Sequence, residues 1–159
     1  MKYRIISVGK MREPFYRQGV QEYLKRLQAY GPFELVEGLE EKIRPEAKDK
    51  EIEQLLAKEA GKIRSLINQD ELVIVLDSAG RQLDSVALAK QVASWHESGR
   101  PRVNFIVGAS YGLEPGIKQI ADFSLSFSNL TFPHQLAVLM LSEQIYRSFR
   151  IINHEPYHK

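Results

Sequence analysis

Short apolar runs rich in β-branched residues alternate along this chain with longer stretches in which apolar side chains recur every three or four positions. Parallel strands must be joined by crossover segments, usually helices, so the alternation predicts an α/β fold: a mostly parallel sheet with helices on both faces. Leu72-Val73-Ile74-Val75-Leu76 is the clearest run. Its unbroken hydrophobicity suits a central strand covered on both sides. Tyr3–Val8, Phe33–Val36, Val103–Val107 and Phe123–Phe127 read as the remaining strands.

Helical periods lie between them. Tyr16, Val20, Tyr23, Leu24 and Leu27 mark one buried face that ends near Gly31-Pro32. Ile52, Leu55, Leu56, Ala60, Ile63 and Ile67 mark a second, after a charged loop around Glu40–Lys50. Asp77-Ser78-Ala79-Gly80-Arg81 has turn composition, and Asp84 or Ser85 can cap a third helix carrying Val86, Leu88, Ala89, Val92 and Trp95. Gly99-Arg100-Pro101 stops it. A short helical piece at Ile117–Ala121 precedes the last strand, and a final helix begins near Pro133, since proline suits a first helical turn.

That final helix contains Leu136-Ala137-Val138-Leu139-Met140-Leu141, apolar on every side. Such a helix needs cover all round, whereas an α/β domain exposes the outer surface of its helices. A subunit interface is the simplest cover, so a homodimer is expected.

At 159 residues the chain suits one domain spanning residues 1–159. It has no cysteine, which excludes a disulfide framework and thiolate metal sites and fits a reducing, cytoplasmic setting. No apolar run approaches the roughly 18 residues of a membrane span, and the N-terminal run is too short for a signal peptide, so no membrane association is expected. The net charge of +2 hides an asymmetry, because residues 1–30 carry seven Lys/Arg against Glu13 and Glu22. That segment reads either as a phosphate-contacting patch or as a solvated helix face.

Several chemistries are excluded by missing signatures. There is no G-x-x-x-x-G-K-[ST] loop, and Val8-Gly9-Lys10-Met11 lacks the spacing of a dinucleotide fingerprint. A G-x-S-x-G elbow is also absent. His154 and His158 stand four apart, but a zinc site needs a third and usually a fourth donor, so no metal is expected. What remains is a set of three loops, Asp77–Gly80, Gly108–Gly112 and Ser128–Phe132, each following a strand. Open parallel sheets bind ligands at the carboxyl ends of their strands.

The segment Leu125-Ser126-Phe127-Ser128-Asn129-Leu130-Thr131-Phe132-Pro133-His134-Gln135-Leu136, the run Glu143-Gln144-Ile145-Tyr146-Arg147 and the ending Pro156-Tyr157-His158-Lys159 resemble the ribosomal large-subunit RNA methyltransferase H family, of the SPOUT class. The Ser7-Val8-Gly9-Lys10 opening and the Gly108 loop extend the likeness over essentially the whole chain. The resemblance implies a parallel sheet with a deep C-terminal trefoil knot in an obligate homodimer, against the ordinary rule that chains do not knot. It implies S-adenosyl-L-methionine as the methyl donor, and N3 of a pseudouridine in 23S rRNA, within assembled ribosomes, as the acceptor. Position by position, it gives Leu76, Gly108, Phe127, Ser128, Asn129, Leu130, Thr131 and Phe132 to donor binding, and Arg147, Tyr157 and His158 to RNA binding or catalysis.

Two positions depart from the family pattern: Ala109 stands where a second glycine is usual, and Val138 where an arginine is frequent. The first bears on loop geometry and the second on a cation that would meet RNA. In the implied chemistry Arg147 stabilises the developing imide anion, His158 accepts a proton, and Tyr157 stacks on a base or donates a hydrogen bond. From spacing alone, Arg147 is also an ion-pair partner for Glu143 four residues earlier, and the tail residues are also anchors of the C-terminus. Two rival functions suit the same fold: a methyltransferase of transfer RNA, and a non-catalytic RNA- or ribosome-binding module.

Overall fold

The computed structural model describes residues 1–159. Its elements run β1 (Lys2–Ser7), α1 (Pro14–Leu27), β2 (Phe33–Glu37), α2 (Asp49–Leu66), β3 (Leu72–Gln82), α3 (Ser85–His96), β4 (Arg102–Val107), α4 (Pro115–Gln119), β5 (Phe123–Ser126) and α5 (His134–Ile152). The five strands form one sheet in the order β2-β1-β4-β3-β5, and every neighbouring pair is parallel. The α/β architecture expected from the sequence is the one observed.

Alternation along the strands sorts the core into two layers. Tyr3 and Ile5 of β1, Ile74 of β3 and Phe105 of β4 pack with Val20 of α1, Val92 and Trp95 of α3, and Leu141 and Phe149 of α5. On the opposite face Ile6, Val73, Val75 and Ile106 meet Ala60 and Ile63 of α2 and Ile117 of α4. Strands covered on both sides in this way need no polar alternation, which is why they read as continuous apolar runs. One polar cluster interrupts the second layer: Asn104, fully buried, donates to Glu71 Oε2 at 2.9 Å and to the Leu72 carbonyl at 3.2 Å, while Arg4 donates to the Leu66 carbonyl. Asn104, Glu71 and Arg4 thus find partners, as burial demands, whereas the buried Nε of the adjoining Arg102 has none.

Two expectations are corrected. Residues 77–81 are not a free turn, because β3 continues to Gln82. Leu125 of β5 pairs with both Leu76 and Arg81, and the residues between those two pairings loop out at the sheet edge. Gly80 permits the close approach, since a Cβ there would stand 2.7 Å from the Ser124 carbonyl oxygen. Val86 lies outside the buried stripe of α3 at 43% exposure, whereas Leu88, Ala89, Val92 and Trp95 are buried as expected. Of the two readings of the basic first segment, the pairing of Arg4, Arg12, Arg17 and Arg26 with Glu34, Glu40, Glu37 and Glu22 favours the solvated face over a phosphate-contacting patch.

α5 packs between α1 and α3. Val138 and Leu141 are fully buried there, while Leu136, Leu139 and Met140 remain partly exposed. The chain leaves β5 at the sheet edge, beside the looped-out residues 77–80, and returns over the first layer as α5. That path is consistent with a threaded C-terminus. No helix is long and apolar enough to cross a membrane.

Candidate active site

At the carboxyl ends of β3, β4 and β5 the three loops close around one cavity of about 560 Å³. Leu76, Gly108, Phe127, Ser128, Leu130, Thr131 and Phe132 line it. Asn129 does not. Its Oδ1 instead accepts from Gln82 Nε2 at 3.0 Å, which ties the third loop to the end of β3.

Asp77, Lys118 and His134 also line the cavity; Asp77 opens the first of the three loops expected from the sequence, whereas Lys118 and His134 are not among the expected site residues. The His134 ring hydrogen-bonds the Lys10 carbonyl at 3.0 Å and lies so close over Gly9 that a Cβ there would stand 2.4 Å from it. The adjoining Gln135 side chain accepts from the N–H groups of Arg12 and Glu13. The start of α5 is therefore latched to the loop after β1, across more than a hundred residues of sequence. No local pattern announces such a contact. Asp77 and Lys118 form an ion pair at 2.9 Å, and that hydrogen bond, with the Ala79 amide, holds the Asp77 carboxyl below its ordinary range.

The cavity offers an apolar wall, including Leu76, Val107, Leu125 and Phe127, beside polar backbone. The N–H groups of Thr131 and Phe132 make no intramolecular hydrogen bond, so they are free to serve a ligand. Gly108 is required by close packing: a Cβ would meet the Gly112 carbonyl carbon at 2.8 Å. Ala109 does not adopt positive φ, so the alanine in this loop carries no strain. Val138 is fully buried among the helices, so its side chain is not at the surface.

A second cluster forms at the far end of α5. Glu143 accepts from Arg147 Nη2 at 2.6 Å and from the Tyr157 hydroxyl at 3.0 Å. The ion pair four residues apart is thus present, yet it leaves Arg147 Nη1 turned toward the tail, 3.3 Å from His158 Nδ1. The guanidinium also lies 4.8 Å from the centroid of the Tyr157 ring, within cation–π range. Burial, with hydrogen bonds to Tyr23 and Glu143, pushes the Tyr157 hydroxyl pKa up. The Glu143 hydrogen bond likewise raises that of Arg147. Upstream, Glu155 pairs with Arg150 at 2.6 Å and accepts from Tyr30, which fixes the chain before the last four residues begin. His154 lies beyond the end of α5 with φ 55°, so it shares no helix face with His158.

Arg147, Tyr157 and His158 therefore meet one another, but not the cavity. Ala137 lines the cavity, and Arg147 follows it by ten residues on the same helix. At the α-helical rise the two are separated by about 15 Å.

The sequence profile of the family described as "Predicted SPOUT methyltransferase" matches residues 1–158. The chain belongs to this family. Relatives over their full length and that of this chain include the "Ribosomal RNA large subunit methyltransferase H" of Syntrophomonas wolfei, 55% identical over 159 residues, and that of Enterococcus faecalis, 42% identical. Among solved structures, a probable methylase family protein from Haemophilus influenzae superposes with a TM-score of 0.53 at 15% identity, over 99% of this chain and 70% of that one. That likeness bears on the fold alone. The SPOUT membership makes the chain a methyltransferase by family, built on the parallel sheet described above.

Proposed function

We propose that this SPOUT protein is a cytoplasmic, S-adenosyl-L-methionine-dependent methyltransferase of large-subunit ribosomal RNA, acting on N3 of a pseudouridine in 23S rRNA within assembled ribosomes as a homodimer. The observation that carries the reading is the cavity at the strand ends, with its unbonded amides and apolar wall. Those residues fit the donor: amides of the 127–132 loop suit the edge of an adenine, Leu76 and Phe127 suit its faces, and the Gly108 turn keeps backbone close. When bound, the donor supplies an electrophilic methyl group on a sulfonium.

The chain's own residues have two tasks, to align the acceptor nitrogen and to make it nucleophilic. An imide nitrogen must lose its proton, and the negative charge that develops is stabilised by a fixed cation. Arg147 is that cation. Glu143 engages Nε and Nη2, so the guanidinium is held in one orientation with Nη1 available. His158 stands beside it as the proton acceptor, and Tyr157 is positioned by Glu143 to meet a base.

Because a separation of about 15 Å along α5 is too great for one chain to serve both tasks, the tail of one protomer works at the cavity of its partner. The partly exposed Leu136, Leu139 and Met140 supply an apolar face for that association. The test is methyl transfer from radiolabelled donor to ribosomes, with the product mapped by mass spectrometry of the rRNA. Label at one 23S pseudouridine supports the reading. Label on transfer RNA instead, or on no RNA, would overturn it.

A further inference from the structure

One part of the cavity wall is used by none of the residues assigned so far. Asp77 Oδ2 accepts from Lys118 Nζ at 2.9 Å, and Asp77 Oδ1 accepts from the Ala79 N–H at 3.2 Å. Asp77 is carried on the looped-out end of β3 with a side chain 16% exposed. Lys118 reaches it from α4, which the fully buried Ile117 holds against the sheet. Apart from His134, no other titratable side chain lines the cavity.

A partly exposed ion pair contributes little to stability. Set into a ligand cavity, however, it presents both signs of charge side by side at a fixed spacing. The chemical complement is a zwitterion, whose ammonium meets the carboxylate and whose carboxylate meets the ammonium of the pair. Both contacts are charge-assisted, and the pair keeps its own bond while making them. A ribose diol would also suit Asp77, but it brings no second anion to Lys118.

We infer that the Asp77–Lys118 pair is the subsite for the α-amino-acid end of the methyl donor. The inference rests on the proposed use of S-adenosyl-L-methionine. It divides the cavity by chemistry: the 127–132 loop takes the nucleoside, and the junction of β3 with α4 takes the charged tail.

The test is calorimetric titration of the wild-type protein, Asp77→Asn and Lys118→Gln with three ligands. These are S-adenosylmethionine, its decarboxylated form, and 5′-methylthioadenosine, which keeps adenine and ribose but lacks the amino acid. Each substitution should weaken S-adenosylmethionine binding by roughly tenfold to a hundredfold and leave methylthioadenosine within about twofold of wild type. The Lys118→Gln loss should vanish with the decarboxylated ligand, which has no carboxylate for Lys118 to hold. Equal losses for methylthioadenosine would assign the pair to ribose or to the cavity wall and overturn the inference, as would unchanged S-adenosylmethionine binding in both variants. Wild-type protein that binds none of the three ligands overturns the donor reading itself. Wild-type binding that the variants leave unaltered overturns only the subsite.

Discussion

Arg147 and Tyr157 share one acceptor. Glu143 Oε1 takes hydrogen bonds from both, at 2.6 Å and 3.0 Å, and the guanidinium lies against the tyrosine ring. A helix residue thereby aims a side chain of its own helix and one from the C-terminal tail in a single arrangement. Glu143 is a positioning residue in this account. Glu143→Gln keeps the shape but weakens both bonds, so turnover on ribosomes should fall by about tenfold to a hundredfold. Donor affinity, measured by calorimetry, should stay at the wild-type value. A parallel loss of donor affinity would count against a role confined to positioning.

Arg147→Ala removes the cation itself. The expected result is loss of methyl transfer by at least about a hundredfold with donor binding intact. Arg147→Lys should recover only a small part of the rate, because an ammonium cannot engage Glu143 through two nitrogens and still face His158. Single-turnover transfer from radiolabelled donor measures both variants. Wild-type rates in either would remove the guanidinium from the mechanism.

Deletion of Pro156–Lys159 separates anchoring from chemistry. Glu155 still binds Arg150 and Tyr30 in the shortened chain, so the end of α5 keeps its main restraint. Circular dichroism should be unchanged and turnover on ribosomes should collapse. Global unfolding of the truncated chain would instead make the tail an anchor.

Alkaline titration tests the burial of the tyrosines. Burial raises the hydroxyl pKa of Tyr3, Tyr30 and Tyr157, aided at Tyr30 by Glu155 and at Tyr157 by Tyr23 and Glu143. Their unfolded value lies near about 10, below the folded one. Their contribution to stability is therefore complete below about pH 10 and is lost as the pH rises beyond it. Near-ultraviolet absorbance should show these three tyrosines ionising late, together with unfolding, and Tyr157→Phe should remove one late-ionising hydroxyl.

Much of this was legible in the sequence, for identifiable reasons. Strands covered on both faces are written as apolar runs, so Leu72–Leu76 and Val103–Val107 stood out, and the rule that parallel sheets bind at their carboxyl ends pointed to the three loops. The extension of β3 to Gln82 was hidden because residues 77–81 have the composition of a turn and pair only through Leu125, more than forty positions away. Asp77 and Lys118 look like ordinary surface charges until the fold places them together. His134 was hidden likewise, its neighbour Gly9 lying at the other end of the chain. The tail cluster was legible only through family resemblance, apart from the Glu143–Arg147 spacing, which the helix period alone supplies.

The proposed active site is completed between two protomers, and mixed dimers test that directly. Arg147→Ala keeps the cavity and loses the cation; Thr131→Trp fills the cavity from an exposed loop position and keeps the cation. Each variant alone should be inactive on ribosomes. When the two are dissociated together and reassociated, about a quarter of wild-type activity should return, because half of the random pairs are mixed and each mixed pair holds one complete site. A mixture as inactive as its components, with mixed dimers demonstrated by mass spectrometry, would contradict the account.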